Sequence, residues 1–358
     1  MPDLGKDYFS YEKLWSIEWS GTYHWTWGSI LLLMLLMFLF LQSKSAICLY
    51  NSNDLVFSLL RLCMQDIWHH IHSLMPMRDA ARAACVSRSF LRSWRCHPNL
   101  NFSKYTLFLN ENACQKDESG RFFYIKVDHI LKNHSGIGVK KLKIQINSDY
   151  SSKDSCFLNR WLQKAVTLTP GIEELTLILV PFSAKYNFPC SLLLNGRGDS
   201  IRYLHLTRCS FRPTVTLGLR GLTRLHLCLV RITGDELGCL LSHSFALEQL
   251  ELRNCDRIVC LKVPRLLQRL NYLEVRGCAK LKVIDNEAPN VSSFTFGGDS
   301  TVQLSLGETL QMKSLTMDRY GSVFYARAEL PSSMPNLEAL TIHSMSEVWE
   351  LQPTVDLV

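Results

Sequence analysis

Three histidines within Trp68-His-His-Ile-His72 are the residues of this chain most suggestive of chemistry. On a helix, His69 and His72 would share one side, but no cysteine or carboxylate is spaced to complete a metal site with them. This pattern favours solvated or interface histidines. No nucleophile elbow occurs, and neither Gly136-Ile-Gly138 nor Gly297-Gly298 continues into a phosphate-binding loop. The sequence therefore predicts no catalytic residue, metal ion or cofactor, and favours a binding protein over an enzyme.

The charge of the chain restricts the kind of partner it can bind, and its cysteine content indicates the cellular compartment. The 358 residues carry a formal net charge of +7. Lysines and arginines are scattered, and no basic run with interleaved aromatic residues occurs, which argues against nucleic-acid binding. The 13 cysteines are odd in number and lack paired short spacings. This pattern predicts reduced, buried thiols in the cytoplasm or nucleus rather than a disulfide framework.

The three histidines lie within residues 66–94. The pattern of apolar residues in this block predicts three short helices. One helix face carries apolar residues at Ile67, Ile71, Leu74 and Met75. Pro76 should end this helix, because the residue before a proline is pushed out of the α region. Asp79 and Ser87 are predicted to cap the next two helices. Three helices of this size bury too little surface to be stable alone, so the block is expected to dock on another surface.

The order of residues in this block resembles the F-box of large plant families that combine an F-box with leucine-rich repeats. The matching segments are Asp66-Ile67-Trp68, Ile71, Leu74-Met75-Pro76, Arg78-Asp79-Ala80, Ala83-Ala84-Cys85-Val86-Ser87-Arg88 and Phe90-Leu91-Arg92-Ser93-Trp94. The block departs from the family pattern at its start, where Cys63 and Met64 replace the usual Leu-Pro. The alternative is a helical hairpin that belongs to the core that follows.

The resemblance implies a small all-α module that docks on a Skp-type adaptor and, through it, on a cullin. The adaptor contacts that it implies by position are Met64, Ile67, Ile71, Leu74, Pro76, Val86, Phe90 and Trp94.

Downstream, the pattern apolar-x-x-Leu-x-apolar recurs around Leu142, Leu175, Leu204, Leu225, Leu250, Leu273, Phe294, Leu315 and Leu340. From Leu204 onward the spacing is that of leucine-rich repeats: 204 to 225 is 21 residues, and 225 to 250 is 25. The two earlier intervals are longer and predict insertions or irregular loops. Each motif predicts a short strand, and stacked strands share one core. The chain is therefore expected to be α/β, with the helical F-box module followed by a leucine-rich-repeat solenoid and a curved parallel sheet.

The alternation of side chains along each strand predicts which side chains of the repeats are buried and which are exposed. Cys209, Cys255 and Cys278 each lie five residues after the central leucine of their repeat. In the family that slot holds an inward-facing Asn or Cys, so these residues are expected to be buried thiols rather than metal ligands. The outward strand positions predict a target-binding face made of Tyr203, His205, Arg224, His226, Gln249, Glu251, Tyr272 and Glu274.

The predicted organisation has three parts. Residues 1–61 form an N-terminal extension, in which residues 25–42 are a candidate transmembrane segment because the apolar run approaches the length of a span. Residues 62–103 form the F-box. Residues 104–358 form the repeats, and their last part, near residues 330–342, resembles the start of the FBD module found at the end of such plant proteins, of which only a truncated version is expected.

An F-box followed by leucine-rich repeats resembles, and therefore implies, the substrate-recognition subunit of a Skp-cullin-F-box ubiquitin ligase. The F-box would dock on the adaptor, and the repeats would bind an unknown target protein for ubiquitination. The alternative is a membrane-anchored leucine-rich-repeat receptor or scaffold without a ligase role. The expected location is the cytoplasm or nucleus, or a membrane with the F-box facing the cytosol if the N-terminal segment inserts.

Overall fold

The structure is a computed structural model with two compact units, Met1–Trp94 and Arg95–Val358. The N-terminal extension, including the candidate span at residues 25–42, and Met64 lie outside the described residues. The structure describes residues 66–107, 116–135, 138–146, 155–168, 171–180, 186–194, 196–214, 217, 219–307, 310–328, 330 and 334–343.

The first unit contains three helices: α1, described over residues 66–74, α2 (Met77–Ala84) and α3 (Arg88–Arg95). Ser87 caps α3 as predicted, because its Oγ accepts a hydrogen bond of 3.1 Å from the N–H of Phe90. The predicted cap at Asp79 is wrong. Pro76 is the N-cap of α2 and makes no side-chain cap. Asp79 lies in the first turn, where a negative charge suits the helix dipole.

The core of this unit forms around two aromatic rings. Trp68 and Phe90 meet edge to face, with ring centroids 4.8 Å apart. Ile71 and Ala83 pack against this pair. Small buried residues on α2, such as Ala80, allow close packing because they have little bulk.

The second unit is built on strands joined by helical or extended segments. Its strands are β1 (Asn99–Phe102), β2 (Lys141–Ile146), β3 (Glu174–Leu179), β4 (Tyr203–Thr207), β5 (Arg224–Cys228), β6 (Gln249–Arg253), β7 (Cys260–Val263), β8 (Tyr272–Arg276), β9 (Val283–Asn286), β10 (Ser293–Gly297), β11 (Gln303–Ser305), β12 (Ser314–Asp318) and β13 (Ala339–His343). Its helices are α4 (Lys104–Leu107), α5 (Lys116–Asn133), α6 (Ser155–Leu168), α7 (Gly234–Leu241) and α8 (Ser322–Ala328), with a 3-10 turn at Cys190–Leu193. None of the helices within the described ranges is both long and apolar enough to cross a membrane.

The register of the main sheet confirms the predicted repeats. Within the described residues, ten strands pair in parallel in the order β1-β2-β3-β4-β5-β6-β8-β10-β12-β13. Every predicted central residue from Leu142 to Leu340 faces its counterpart on the next strand. These side chains are buried from Leu142 to Leu315, whereas Leu340 is 45% exposed. The α/β fold with a parallel repeat sheet is thus confirmed.

Strand β1 adds a repeat position that the sequence pattern did not indicate. Leu100 pairs in register with Leu142 and is buried. This strand lies inside residues 62–103, the range that the sequence assigned to the F-box, and it belongs to the repeat sheet.

Some returns between main-sheet strands contain a short strand, and others contain a helix. Strands β7, β9 and β11 pair in parallel as a second sheet. Between β5 and β6 the return is helix α7, which begins with a capping box: the Thr233 side chain accepts from the Glu236 N–H, and the Glu236 carboxylate accepts from the Thr233 N–H at 2.8 Å. The helix buries Leu237, Leu240 and Leu241. Both return types present apolar residues to the repeat core.

Candidate binding surfaces

The helical unit leaves several apolar side chains exposed. Leu74 is 70% exposed, Val86 is 72% exposed and Ile67 is 45% exposed. Pro76 is also exposed, and Ile71 is half-buried. These five belong to the adaptor contacts that the sequence predicts, and the structure leaves them open to a partner to different degrees.

Two other predicted contact residues are buried. Phe90 packs against Trp68 and lies with its ring centroid 5.1 Å from that of His72. Trp94 is buried as well. Burial leaves neither side chain open to a partner in this structure. His72 is only 1% exposed, so the expectation of a solvated or interface histidine is wrong for this residue.

The predicted target-binding residues form two neighbouring rows across β4, β5, β6 and β8. The register aligns Tyr203, Arg224, Gln249 and Tyr272 in one row, and His205, His226, Glu251 and Glu274 in the other. Arg224 is exposed, Glu274 is buried, and the remaining six are half-buried. The parallel register therefore brings all eight onto one strand face, which we call the outward face.

Glu274 is the centre of a network on the outward face. Its carboxylate accepts hydrogen bonds from Arg253 Nε at 2.8 Å, from Arg253 Nη2 at 3.1 Å and from the Tyr272 hydroxyl at 2.7 Å. Arg276 Nε lies 3.4 Å from the same carboxylate. Burial alone would raise the pKa of Glu274, but the bonds from Arg253 and Tyr272 hold that pKa below its ordinary value. Glu274 is therefore a buried anion that organises three neighbouring side chains.

Arg253 and Arg276 were not among the predicted site residues. They end strands β6 and β8 and pair with each other in register. Each follows a predicted outward glutamate by two positions, so the alternation that identified Glu251 and Glu274, continued by one step, would have found both.

Two histidine rings stack beside this network. The centroids of His205 and His226 are 4.1 Å apart, with 12° between the ring planes. His226 Nδ1 lies 3.4 Å from Glu251 Oε2, and His205 Nε2 is 3.1 Å from Thr207 Oγ1. Burial, together with the neighbouring His226, lowers the pKa of His205 to about 4. Burial also lowers the pKa of His226, although Glu251 opposes this. Both rings are therefore expected to be neutral near pH 7.

Arg224 and Tyr203 provide the first row with a cationic and aromatic pair. The guanidinium carbon of Arg224 lies 4.8 Å from the centroid of the Tyr203 ring. This distance is within the range of a cation–π contact. Burial raises the pKa of the Tyr203 hydroxyl, which therefore remains a neutral donor near pH 7.

Three cysteines of the repeats are buried free thiols, as the sequence predicts, whereas Cys85 and Cys156 are exposed, so the broader expectation of buried thiols is wrong for these two. Cys209, Cys255 and Cys278 each lie two residues after a strand of the main sheet and form no disulfide. Burial raises the pKa of Cys209 to about 12. No group of three or more metal-ligating side chains occurs in the described part of the chain. These thiols are packing residues of the repeats.

Comparisons with known proteins identify the repeat region. The family model described as "At1g61320/AtMIF1, LRR domain" matches residues 130–356. A curated relative, "F-box protein At5g03100" of Arabidopsis thaliana, is 23% identical over 214 residues, which are 59% of this chain and 61% of the relative. The chain thus spans about 61% of the relative's length. These matches confirm the resemblance to plant F-box and leucine-rich-repeat proteins.

Proposed function

The chain belongs to the leucine-rich-repeat family described as At1g61320/AtMIF1, and we propose that it is the substrate-recognition subunit of a Skp-cullin-F-box ubiquitin ligase. In this role the helical unit binds a Skp-type adaptor, which joins it to a cullin. The repeats bind a target protein through their outward face. Other subunits then catalyse the transfer of ubiquitin, and this chain holds the target protein close to them. The relative named as an F-box protein supports this proposal.

The observation that carries the proposal is the exposure of Ile67, Leu74 and Val86 in the helical unit, which is folded around Trp68 and Phe90. Ile67 and Leu74 are seven residues apart on α1, so they lie on one side of that helix. Val86 lies in the turn between α2 and α3. Clustered exposed apolar side chains mark surfaces that bind other proteins. We propose that the adaptor covers these residues, together with Met64, Ile71 and Pro76, while Phe90 and Trp94 support them from the core.

A binding assay with a purified Skp-type adaptor tests this role. Leu74→Asp and Val86→Asp should each weaken adaptor binding at least about tenfold, since each places a charge in an apolar interface. Both side chains are exposed in the free chain, so these variants should fold, as circular dichroism will check. Leu266→Asp is the matched control, because Leu266 is 57% exposed but lies in the repeats. The ligase role is refuted if the wild-type chain does not bind the adaptor, or if Leu266→Asp loses as much binding.

The location that follows from this role is the cytoplasm or nucleus. The competing role, a membrane-anchored receptor or scaffold, rests on residues 25–42, which lie outside the described residues. Protection of the N-terminal segment from protease in microsomes would support an anchor, with the F-box facing the cytosol.

A further inference from the structure

We propose that the outward face of β4, β5, β6 and β8 binds an acidic segment of a protein partner, whose carboxylates accept hydrogen bonds from Arg224, Arg253 and Arg276. This inference rests on the proposed function and deepens it, because it names the chemistry of the target. It follows from the hydrogen bonding of this face, in which the carboxylate acceptors are occupied whereas several arginine donors are not.

The carboxylates of this face are already occupied by neighbouring donors. Glu274 is buried and accepts from Arg253 and Tyr272, with Arg276 also in contact. Glu251 Oε2 accepts from Arg253 Nη2 at 3.3 Å and lies 3.4 Å from His226 Nδ1. A basic ligand would have to displace these internal partners, so the face is poorly suited to lysine- or arginine-rich segments.

Several hydrogen-bond donors on the arginines of this face, in contrast, have no acceptor among the described residues. Arg253 uses Nε and Nη2 on the two glutamates, which leaves Nη1. Arg276 meets Glu274 through Nε, and its two terminal nitrogens have no acceptor among the described residues. Arg224 stacks on Tyr203, and within the same residues none of its side-chain N–H groups has an acceptor. The side chains of Arg253 and Arg276 are 43% and 40% exposed, so a ligand can reach them.

The buried carboxylate orients two of these arginines before any ligand arrives: Arg253 through two hydrogen bonds, and Arg276 through an ion contact at 3.4 Å. Arg253 and Arg276 are register neighbours on adjacent paired strands, and both contact Glu274. Because the planar guanidinium groups are already oriented, less side-chain freedom is lost when they bind an anion. Guanidinium donors match the two oxygens of a carboxylate, and such charge-assisted bonds are stronger than neutral ones.

The distance between the arginines favours an extended peptide over a small anion. Arg224 is aligned with Tyr272, two strands away, and Arg276 lies four residues further along that strand. Strand spacing and rise place the backbones of Arg224 and Arg276 roughly 16 Å apart. An extended segment of about five residues covers this distance. Glu251 lies on the line between them, so the two carboxylates of the segment would bind on either side of it, and Tyr272 and His226 flank this line with aromatic surface.

Peptide pools of defined charge test this inference on the full chain. The probe is a fluorescein-labelled pool of nine-residue peptides with glutamate at positions 3 and 7 and random residues elsewhere. A matched pool carries glutamine at both positions. We expect the glutamate pool to bind at least about tenfold more tightly, with an affinity that falls as salt screens the charges.

Variants of the arginines locate the binding. Arg224→Gln and Arg276→Gln should each weaken binding of the glutamate pool about fivefold or more, whereas Arg276→Lys should fall between Arg276→Gln and wild type because it keeps the charge but loses the planar fork. Arg269→Gln, at an exposed position on the segment between β7 and β8, makes the same change in net charge and should bind like wild type. Among the described residues the side chain of Arg224 interacts only with Tyr203, so Arg224→Gln keeps the test independent of the Glu274 network.

Three outcomes would overturn the inference: equal binding of the two pools, unchanged binding by both glutamine variants, or binding only of a pool with phosphoserine at positions 3 and 7. The adaptor assay on the same preparations separates this result from the ligase role. A chain that prefers the glutamate pool but does not bind the adaptor refutes the ligase role alone. A chain that binds the adaptor but shows no preference refutes this inference alone.

Discussion

At the scale of single residues, Glu274 shows how a buried charge is accommodated on the outward face. Its side chain is only 4% exposed, and such burial is costly for an ionised carboxylate. Two hydrogen bonds from Arg253 and one from Tyr272 offset that cost, and the Arg276 guanidinium adds a further positive charge. The carboxylate in turn orients Arg253 through these hydrogen bonds and lies in ion contact with Arg276. One residue therefore links the stability of the repeats to the geometry of their proposed binding face.

Removing the negative charge of Glu274 should lower the free energy of unfolding. Glu274→Gln leaves Arg253 and Arg276 without their shared counter-charge, so we expect it to reduce the free energy of unfolding by about 2 kcal/mol. Urea denaturation at pH 7 measures the change. Glu251→Gln is the control, because Glu251 is one-quarter exposed, and it should cost less than about 1 kcal/mol. Equal costs for the two variants would show that Glu274 does not organise the network.

The stacked histidines should make stability depend on pH. The pKa of His205 is about 4 in the folded chain, below its ordinary value of 6.5, mainly because the ring is half-buried. Between these two values the unfolded chain binds more protons, so the contribution of His205 is present above pH 6.5 and is lost as the pH falls toward 4. We expect His205→Gln to lose less unfolding free energy than wild type between pH 7 and pH 5. Identical losses in urea denaturation would contradict this.

At the scale of elements, helix α7 contains two glycines with opposite requirements. A Cβ at Gly234 would overlap the backbone carbonyl of Cys260, whereas a Cβ at Gly238 would meet nothing. The first position therefore allows a close backbone approach, and the second only weakens the helix.

Alanine substitution should separate these two effects. Gly234→Ala is expected to reduce the free energy of unfolding by about 2 kcal/mol, because backbone must shift to remove the overlap. Gly238→Ala should increase it by about 0.5 to 1 kcal/mol, since alanine is the better helix former. Thermal or urea unfolding of the two variants measures both signs. Destabilisation of similar size by both variants would show that packing around the whole helix is tight.

The elements of the repeats were predictable to the extent that their apolar pattern is regular. The central residues from Leu142 to Leu340 mark each main-sheet strand from β2 to β13, because stacked repeats share one core and place an apolar residue at the same position of each strand. Strand β1 was missed because Asn99–Phe102 is short and lies beyond the repeat spacing. The second sheet was not specified either, since β7, β9 and β11 have only three or four residues each, too few for periodicity to distinguish strand from loop.

The binding surfaces were predictable where a side chain's direction follows from alternation. That rule placed His205, His226 and Glu251 correctly on the outward face. It did not show that Phe90 and His72 would be buried, because helix packing depends on neighbours that sequence spacing does not specify. Contacts such as Arg253 with Glu274 arise between strands 21 residues apart, and only the register brings them together.

At the scale of the whole molecule, the repeat unit is a stack in which each strand bonds only to its neighbours. An interior repeat is therefore supported from both sides, and a repeat at the end of the described sheet from one side. Leu250 and Leu340 occupy the same position in their repeats. Leu250 is fully buried on β6, whereas Leu340 is 45% exposed on β13.

This difference predicts unequal costs for the same substitution. Leu250→Ala should reduce the free energy of unfolding by about 3 kcal/mol, because it removes a buried side chain and leaves a cavity between two neighbouring repeats. Leu340→Ala should cost less than about 1 kcal/mol, since much of that side chain is already in water. Urea denaturation of both variants measures the two values. An equally large cost at Leu340 would contradict this expectation, because it would mean that this side chain is covered in solution.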